Sequence, residues 1–188
     1  MQLKDAVEGR KSVKRFSQKK PDWKKIIRAI DYVRFAPTAG NRPVTKFILV
    51  DDEKSIEKLA EASQQEFVGT AQYVVVAVSD DTTLIRDYGE KGERYCAQQA
   101  GAAIQNLLLA LTEQKLATTW VGHFYEDKVK STLRIPENLK VEAMFPIGLD
   151  TKVPSKDARR IKLDFILYFN QWGSKTMTGM EKFSQDAI

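Results

Sequence analysis

The stretch that most constrains the fold is AQYVVVAVSD, residues 71–80, in which apolar and mostly β-branched residues run almost without interruption. β-branched side chains favour strands, and a run of this length is typical of a strand that is buried on both faces. Such a strand needs apolar cover on each side. The sequence therefore predicts a layered domain of helices and strands with this strand in its interior.

Three further segments are predicted to join the sheet. They are KFILVDD (46–52), LATTWVGHF (116–124) as a strand or extended chain, and VEAMFPIGLD (141–150). Apolar residues at helical spacing predict helices at about 3–9, 22–35, 53–62, 91–115 and 126–133. Asp22 is a predicted N-cap, and Pro37 prevents the second helix from continuing past Phe35. We therefore expect one α+β domain with a sheet of at least four strands and helices on its faces.

The segment LDFILYFNQWG, residues 163–173, is amphipathic and is followed by a polar tail. Its aromatic residues would form an exposed apolar patch unless something covers them. Packing within the monomer and dimerisation are both open at this point. The aromatic residues concerned are Phe165, Tyr168, Phe169 and Trp172.

Charge and cysteine content restrict the classes of protein. The formal net charge is +5, and lysine and arginine crowd the first thirty residues. Such clusters contact nucleic acid, bind an anionic cofactor, or are simply solvated. Cys96 is the one cysteine, so no internal disulfide forms, and no Cys/His cluster predicts a metal site. A polar N-terminus and the lack of a long apolar stretch predict a cytoplasmic protein with no membrane partner.

Sequence motifs for common enzyme chemistry are missing. The chain contains no GxGxxG after a strand, no GxxxxGK[ST], no GxSxG and no HExxH. Its single histidine, His123, has no serine or cysteine at a spacing that suggests a catalytic pair. No set of side chains stands out as acid, base or nucleophile. If the protein is an enzyme, a cofactor is expected to carry the chemistry.

The segment GRKSVKRF, residues 9–16, is the best candidate for binding such a cofactor. It holds Arg10, Lys11, Ser12 and Lys14 within five positions. In an extended segment, residues 10, 12 and 14 point to one side. Two cations flanking a hydroxyl suit a phosphate and the polar edge of a ring. A basic turn after a helix is the alternative interpretation.

Four segments in order resemble the FMN-dependent nitroreductase superfamily over about residues 8–172. They are RKSVKRF, APTAGNRP, AGAAIQNLLLALTEQKLATTWVGHF and ARRIKLDF. The resemblance implies an α+β nitroreductase-like fold with a central, mostly antiparallel sheet. It also implies an intertwined homodimer, in which the C-terminal segment packs on the partner and two FMN sites lie at the interface. Residues 1–175 would form the single FMN-binding domain, and 176–188 a C-terminal tail.

The resemblance also implies roles for particular residues. Lys14 would act electrostatically at flavin N1 and O2, Arg10 and Arg160 would hold the phosphate, and a backbone N–H of Gly122 or His123 would donate to N5. The family has a mid-chain polar residue that contacts the flavin pyrimidine, and this position falls at Gln64, with Gln65 as the alternative register. The segment 37–41 would come from the other subunit. No side chain is implied as acid or base. The implied cofactor-binding residues are Arg10, Lys11, Ser12, Lys14, Pro37, Thr38, Ala39, Asn41, Gln64, Gly122, His123, Arg159 and Arg160.

The chain departs from the family pattern at two places. Gly122-His123 stands where the family often has two glycines, so an imidazole lies near the reactive edge. Pro43-Val44-Thr45 stands where the family often has Gln-Pro-Trp. We therefore do not transfer the family contacts of residues 43–45, and the range of substrates stays open.

The function implied by the resemblance is ping-pong oxidoreduction. NADH or NADPH would reduce the flavin at N5, and a nitroaromatic, a quinone or another flavin would then be reduced on the same face. Related flavin chemistry, namely reductive dehalogenation or flavin fragmentation, is the alternative. RDYGEKGERY (86–95) contains the Glu, Tyr and Lys types of a dehalogenase lid, although not at the required spacing. A basic nucleic-acid-binding module is a third alternative, but its motifs are lacking and no nucleic-acid partner is expected.

Overall fold

The structure is a computed structural model that describes residues 2–151 and 160–177. Residues 2–151 belong to one compact unit and residues 160–177 to a second, and each is described by itself. Within these residues no helix combines the length and the apolar character needed to cross a membrane.

The first unit is built on a four-stranded sheet in the order β1-β2-β4-β3, and every neighbouring pair is antiparallel. The fold class predicted from the sequence is therefore confirmed. The central strand β2 has every residue buried, as its unbroken apolar sequence predicts. The strands are β1 (Thr45–Val50), β2 (Tyr73–Ser79), β3 (Ala117–Thr118) and β4 (Lys140–Gly148).

Six α-helices cover the sheet within the described residues. Alternate residues of β2 face opposite layers: Val75 and Ala77 pack with residues of α2 and α5, whereas Val74 and Val76 pack with residues of α3 and α6. Both faces of the sheet therefore carry a hydrophobic core. The helices are α1 (Leu3–Gly9), α2 (Trp23–Asp31), α3 (Glu53–Ser63), α4 (Thr82–Tyr88), α5 (Lys91–Glu113) and α6 (Glu126–Leu133).

The second helix shows how local chemistry sets its two ends. The Asp22 side chain accepts the Lys24 N–H at 3.0 Å, which confirms the predicted N-cap. The α-helix ends at Asp31 rather than at Phe35, and the chain continues as a 3₁₀ helix, Tyr32–Phe35. Ala36 is extended because the following Pro37 disfavours helical backbone at that position.

Three features differ from the sequence expectation. Helix α4 was not predicted, nor was the 3₁₀ helix Glu66–Thr70 that follows α3. The segment 116–124 forms only the two-residue strand β3 and an isolated bridge between Val121 and Met144. The chain leaves the sheet after Val121, which places Gly122 and His123 in a loop.

The second unit contains a short 3₁₀ helix, Leu163–Phe165, and turns. The rings of Tyr168 and Trp172 lie 4.7 Å apart, and the Lys175 ammonium lies 3.9 Å from the Tyr168 ring centroid. Phe165 and Trp172 are exposed, so the second unit by itself does not cover them. The predicted limits of the domain at 1–175 and of the tail at 176–188 stay predictions, and residues 178–188 lie outside the described part of the chain.

Candidate cofactor site

The basic segment 10–17 is extended and is attached to the edge of the sheet. The Val13 N–H donates to the Thr118 carbonyl at 2.9 Å, and the Ser17 N–H donates to the Leu149 carbonyl at 2.8 Å. Phe16 is buried against Ala71 and Ala117. These contacts fix the segment beside β3 and the end of β4, and side chains on an extended segment point alternately to opposite sides.

Two cations of this segment have different partners. The Lys14 ammonium lies 5.2 Å from the centroid of the Phe67 ring, in the 3₁₀ helix after α3. The Lys11 ammonium instead pairs with the Asp150 carboxylate at 2.9 Å. The Lys11 side chain therefore ties the segment to the end of β4. Its role beside Arg10, Ser12 and Lys14 stays a prediction.

The C-terminal end of α3 lies next to the same edge. Gln64 ends this helix in the left-handed conformation, with φ 53°, and its side chain is exposed. The Tyr125 N–H donates to the Ala62 carbonyl at 2.8 Å, which joins the loop after β3 to this helix end. The structure therefore brings together Lys14, Gln64 and the loop that contains Gly122.

Gly122 and His123 are exposed in that loop. Val121 forms reciprocal backbone hydrogen bonds with Met144, each 2.9 Å long. Among residues 2–151 and 160–177, the N–H groups of Gly122 and His123 have no hydrogen-bond partner. They can therefore donate to a bound molecule.

Trp120 is a candidate that the sequence reasoning missed. Its side chain is 44% exposed, and its Nε1 lies 3.4 Å from the position that a Cβ atom would take at Gly122. The ring also packs edge-on against Phe145, with centroids 5.7 Å apart. The signal available in the sequence was a tryptophan two residues before Gly122. Its flat ring adds a wall beside the Gly122 N–H.

The segment 37–41 is shaped by two residues of left-handed backbone. Gly40 and Asn41 both have φ 56° within the 3₁₀ helix Ala39–Asn41. Glycine takes this φ at residue 40 without strain, and the Tyr88 hydroxyl would have to move to admit a Cβ atom there. Pro37, Thr38 and Ala39 border a cavity of about 270 Å³ against the N-terminal half of α5.

Within one chain, segment 37–41 and the basic segment lie near opposite corners of the sheet. Thr45, which begins β1, pairs with Ser79 at one end of β2, whereas β3 lies level with Tyr73 at the other end and on the other edge. Strand spacings of about 4.8 Å and a rise of about 3.3 Å per residue put these corners roughly 25 Å apart. One chain therefore does not bring both predicted groups to one small ring.

The remaining predicted residues belong to the C-terminal part of the chain. Arg160 belongs to the second unit and is exposed. Arg159 lies outside the described residues. In the first unit the Cys96 thiol is buried, and this burial raises its pKa. A raised thiol pKa makes the nucleophilic thiolate scarce at neutral pH. No cluster of three or more potential metal-ligating side chains occurs in the described ranges.

The fold is a nitroreductase-like α+β domain, and comparison with known proteins identifies the family. The model of the Nitroreductase family matches residues 7–67 and 61–149, so the chain belongs to that family. This confirms the resemblance that the sequence motifs indicated.

Three known proteins illustrate the relationship. The chain is 25% identical to an iodotyrosine deiodinase of Thermotoga neapolitana over 162 residues, 78% of this chain and 87% of that protein. A nitroreductase family protein from Clostridium novyi NT is 29% identical with a TM-score of 0.75, covering 93% of this chain and 96% of that one. The NADPH:FMN oxidoreductase from Vibrio harveyi, complexed with NAD⁺, is 19% identical with a TM-score of 0.79, covering 90% and 77%. The last likeness is one of fold.

Proposed function

We propose that the protein is an FMN-dependent oxidoreductase that takes electrons from NADH or NADPH and reduces nitroaromatic, quinone or similar acceptors. The observation that carries the proposal is the meeting of Lys14, the Gln64 end of α3 and the unpaired N–H groups of Gly122 and His123 at one edge of the sheet. Membership in the nitroreductase family supports it.

The chemistry of these groups fits FMN. A flavin mononucleotide presents a phosphate, a pyrimidine edge and a flat ring. Arg10, Ser12 and Lys14 offer two cations and a hydroxyl, Gln64 offers an amide, and Trp120 offers an aromatic wall. Arg10 and Arg160 are the proposed phosphate-binding pair, because guanidinium groups make paired, charge-assisted hydrogen bonds to phosphate.

When bound, FMN supplies two-electron transfer between the nicotinamide and the acceptor. The part of this chain is binding and electrostatics. Lys14 would hold a positive charge near the pyrimidine end of the bound cofactor, and the Gly122 N–H would donate to its reactive edge. The His123 imidazole narrows the approach to that edge. The proposed reaction needs no side chain as acid or base, because solvent can supply the protons.

We also propose that the protein works as a cytoplasmic homodimer. The separation of roughly 25 Å between opposite sheet corners, estimated from strand geometry, lets Pro37, Thr38, Ala39 and Asn41 serve the site of a second chain. Apolar surface is available for the contact: Leu3 and Phe35 are more than two-thirds exposed beside a groove of about 320 Å³. In the second unit, taken by itself, Phe165 and Trp172 are exposed as well. Exposed patches of this kind mark interaction surfaces.

The test is anaerobic reduction of the FMN-loaded protein by NADH and by NADPH, followed by reoxidation with nitro compounds and quinones. The flavin absorbance near 450 nm, roughly, reports each half-reaction. We expect bleaching by at least one nicotinamide and recovery with acceptor. Protein that does not take up FMN, or whose flavin neither nicotinamide bleaches, would show the proposal to be wrong.

Reductive deiodination is the second candidate function, favoured by the similarity to the iodotyrosine deiodinase. The structure gives residues 86–95 other roles, since Glu93 pairs with Lys140 and the Tyr88 ring packs edge-on against Tyr95. An iodotyrosine offered to the reduced protein separates the two functions. Release of iodide at a rate above that of nitro reduction would assign the deiodinase chemistry instead.

A further inference from the structure

Gln99 and Thr45 are among the polar side chains of the first unit whose buried atoms have no hydrogen-bond partner within the described residues. Gln99, on α5, is 6% exposed, and neither its Nε2 nor its Oε1 is paired. The hydroxyl of Thr45, the first residue of β1, is buried and unpaired as well. Buried polar groups are nearly always satisfied in folded proteins, so a pair of unsatisfied ones needs an explanation.

Both side chains border one cavity of about 440 Å³ between α2, β1 and α5. This volume lies within the range of small-molecule sites, about 300 to 1,000 Å³. The other walls are largely apolar and include Val33, Val44 and Phe47. A mostly apolar cavity with a few converging polar groups has the composition of a ligand site.

The charges at this cavity point to a neutral ligand. Arg34 borders the cavity, but its guanidinium pairs with Asp31 at 2.9 Å. Lys46 also borders it, yet side chains alternate along a strand, so Lys46 points to the face opposite Thr45 and Phe47. Neither cation is therefore placed to neutralise an anion between Gln99 and Thr45.

We propose that this cavity binds a small, flat, neutral ring that carries a carboxamide or cyclic imide edge. The Gln99 amide presents a donor and an acceptor side by side, which complements the donor and acceptor of such an edge. The Thr45 hydroxyl donates or accepts as the ligand requires, and Val33, Val44 and Phe47 contact the ring. Thr38 is the one lining residue of this cavity that also belongs to the proposed FMN set, and neither Gln99 nor Thr45 does.

The cavity lies at a position where the sequence departs from the family pattern. Residue 45 is threonine where the family often has tryptophan, and a side chain at this position faces the cavity. The substitution Thr45→Trp therefore places an indole in the proposed ligand space. This variant should therefore block the proposed site directly.

The experiment is a titration of the flavin-loaded protein with thymine and with benzamide, measured by isothermal calorimetry. Toluene is the control probe, because its ring lacks the polar edge. We expect both amide-edged probes to bind and toluene to bind at least tenfold more weakly. Gln99→Leu and Thr45→Val should each raise the Kd of the probes at least tenfold, and Thr45→Trp should abolish binding. Gln105→Leu, on the exposed side of the same helix, is the matched control and should leave the Kd unchanged.

Three results would overturn the proposal. The first is failure of both probes to bind the wild-type protein, and the second is binding that neither Gln99→Leu nor Thr45→Val weakens. The third is a change in the visible flavin spectrum on binding, which would place the probe at the flavin. Thermal melting shows that each variant is folded, and Thr45→Val tests the site if Gln99→Leu does not fold.

Discussion

The backbone N–H of Val141 donates to the Glu126 carboxylate at 3.0 Å, which ties the start of β4 to the first turn of α6. The same carboxylate pairs with the Lys130 ammonium at 3.1 Å. Lys130 is buried and also donates to the Glu137 carbonyl at 3.0 Å. Because α6 follows the loop of Gly122 and His123, this carboxylate anchors the far end of that loop to the sheet.

Glu126→Gln should make stability less dependent on pH. Burial by itself raises the pKa of Glu126, but the hydrogen bonds from Val141 and Lys130 and the Lys130 charge lower it below its ordinary value. A carboxylate whose pKa is lowered in the folded state stabilises the protein at pH values above its unfolded-state pKa, about 4.3. This stabilisation is lost as the pH falls through the folded-state pKa.

We expect the substitution to lower the free energy of unfolding by about 1 kcal/mol near neutral pH, a modest value because the carboxylate is partly exposed to solvent. The difference from wild type should shrink as the pH falls below about 4, where the carboxylate protonates. Urea unfolding at neutral and acidic pH measures it. Glu137→Gln is the control, since Glu137 contributes a backbone carbonyl. An equal difference at both pH values would contradict the assignment.

Gly92→Ala should strongly destabilise the contact between α4 and α5. A Cβ atom at residue 92 would overlap the backbone of Leu84 and Ile85 in α4, and backbone atoms cannot move aside as a side-chain tip can. Overpacking of this kind costs about 1–3 kcal/mol. Gly101→Ala on the same helix is the control, because no atom lies within 4 Å of its added methyl. We expect Gly101→Ala to stabilise the helix by about 0.5–1 kcal/mol. Equal melting temperatures for the two variants would refute the close contact.

The elements with strong periodicity were predictable from sequence. The unbroken apolar run of β2 and the apolar side of α5 predict that these residues are buried, even when the elements that pack against them are unknown. Helix α4 was missed because it is short and only Leu84 is buried in it. Segment 116–124 was predicted as one extended segment, but its pairing depends on β4, which leaves the chain unpaired around Trp120. Local sequence carries no record of such distant partners.

The candidate site, too, was predictable from the sequence only in part. Alternation along residues 10–14 follows from an extended backbone, and the structure bears this out for Lys11 and Lys14, which have different partners. Lys11 pairs with Asp150, which lies far along the chain, so the sequence near Lys11 does not indicate this ion pair. The unpaired N–H at Gly122 results from where the sheet ends, and no residue type in the loop indicates it.

Lys14→Met should lower the reduction potential of the bound flavin. Removing a positive charge near the pyrimidine end disfavours the form that carries more negative charge. We expect a decrease of about 30 mV, which for two electrons corresponds to ~1.4 kcal/mol. Equilibration with a redox dye of known potential measures it. Lys11→Met is the matched control: its ammonium pairs with Asp150, so the potential should stay unchanged. Equal shifts for both variants would show a general charge effect and not a role of Lys14.

Replacing Arg10 and Arg160 together with alanine should release FMN without unfolding the protein. The two guanidinium groups are the proposed phosphate ligands, and Arg10→Ala leaves the backbone N–H that closes α1 on the Ala6 carbonyl at 3.1 Å. We expect FMN affinity to fall at least hundredfold, about 2.7 kcal/mol, measured by quenching of flavin fluorescence. Arg15→Ala in the same basic segment keeps residues 10, 12 and 14 and should bind FMN as the wild type does. If the double variant retains its affinity while circular dichroism shows it folded, the phosphate lies elsewhere, and the ligand-facing role of Arg10 is wrong.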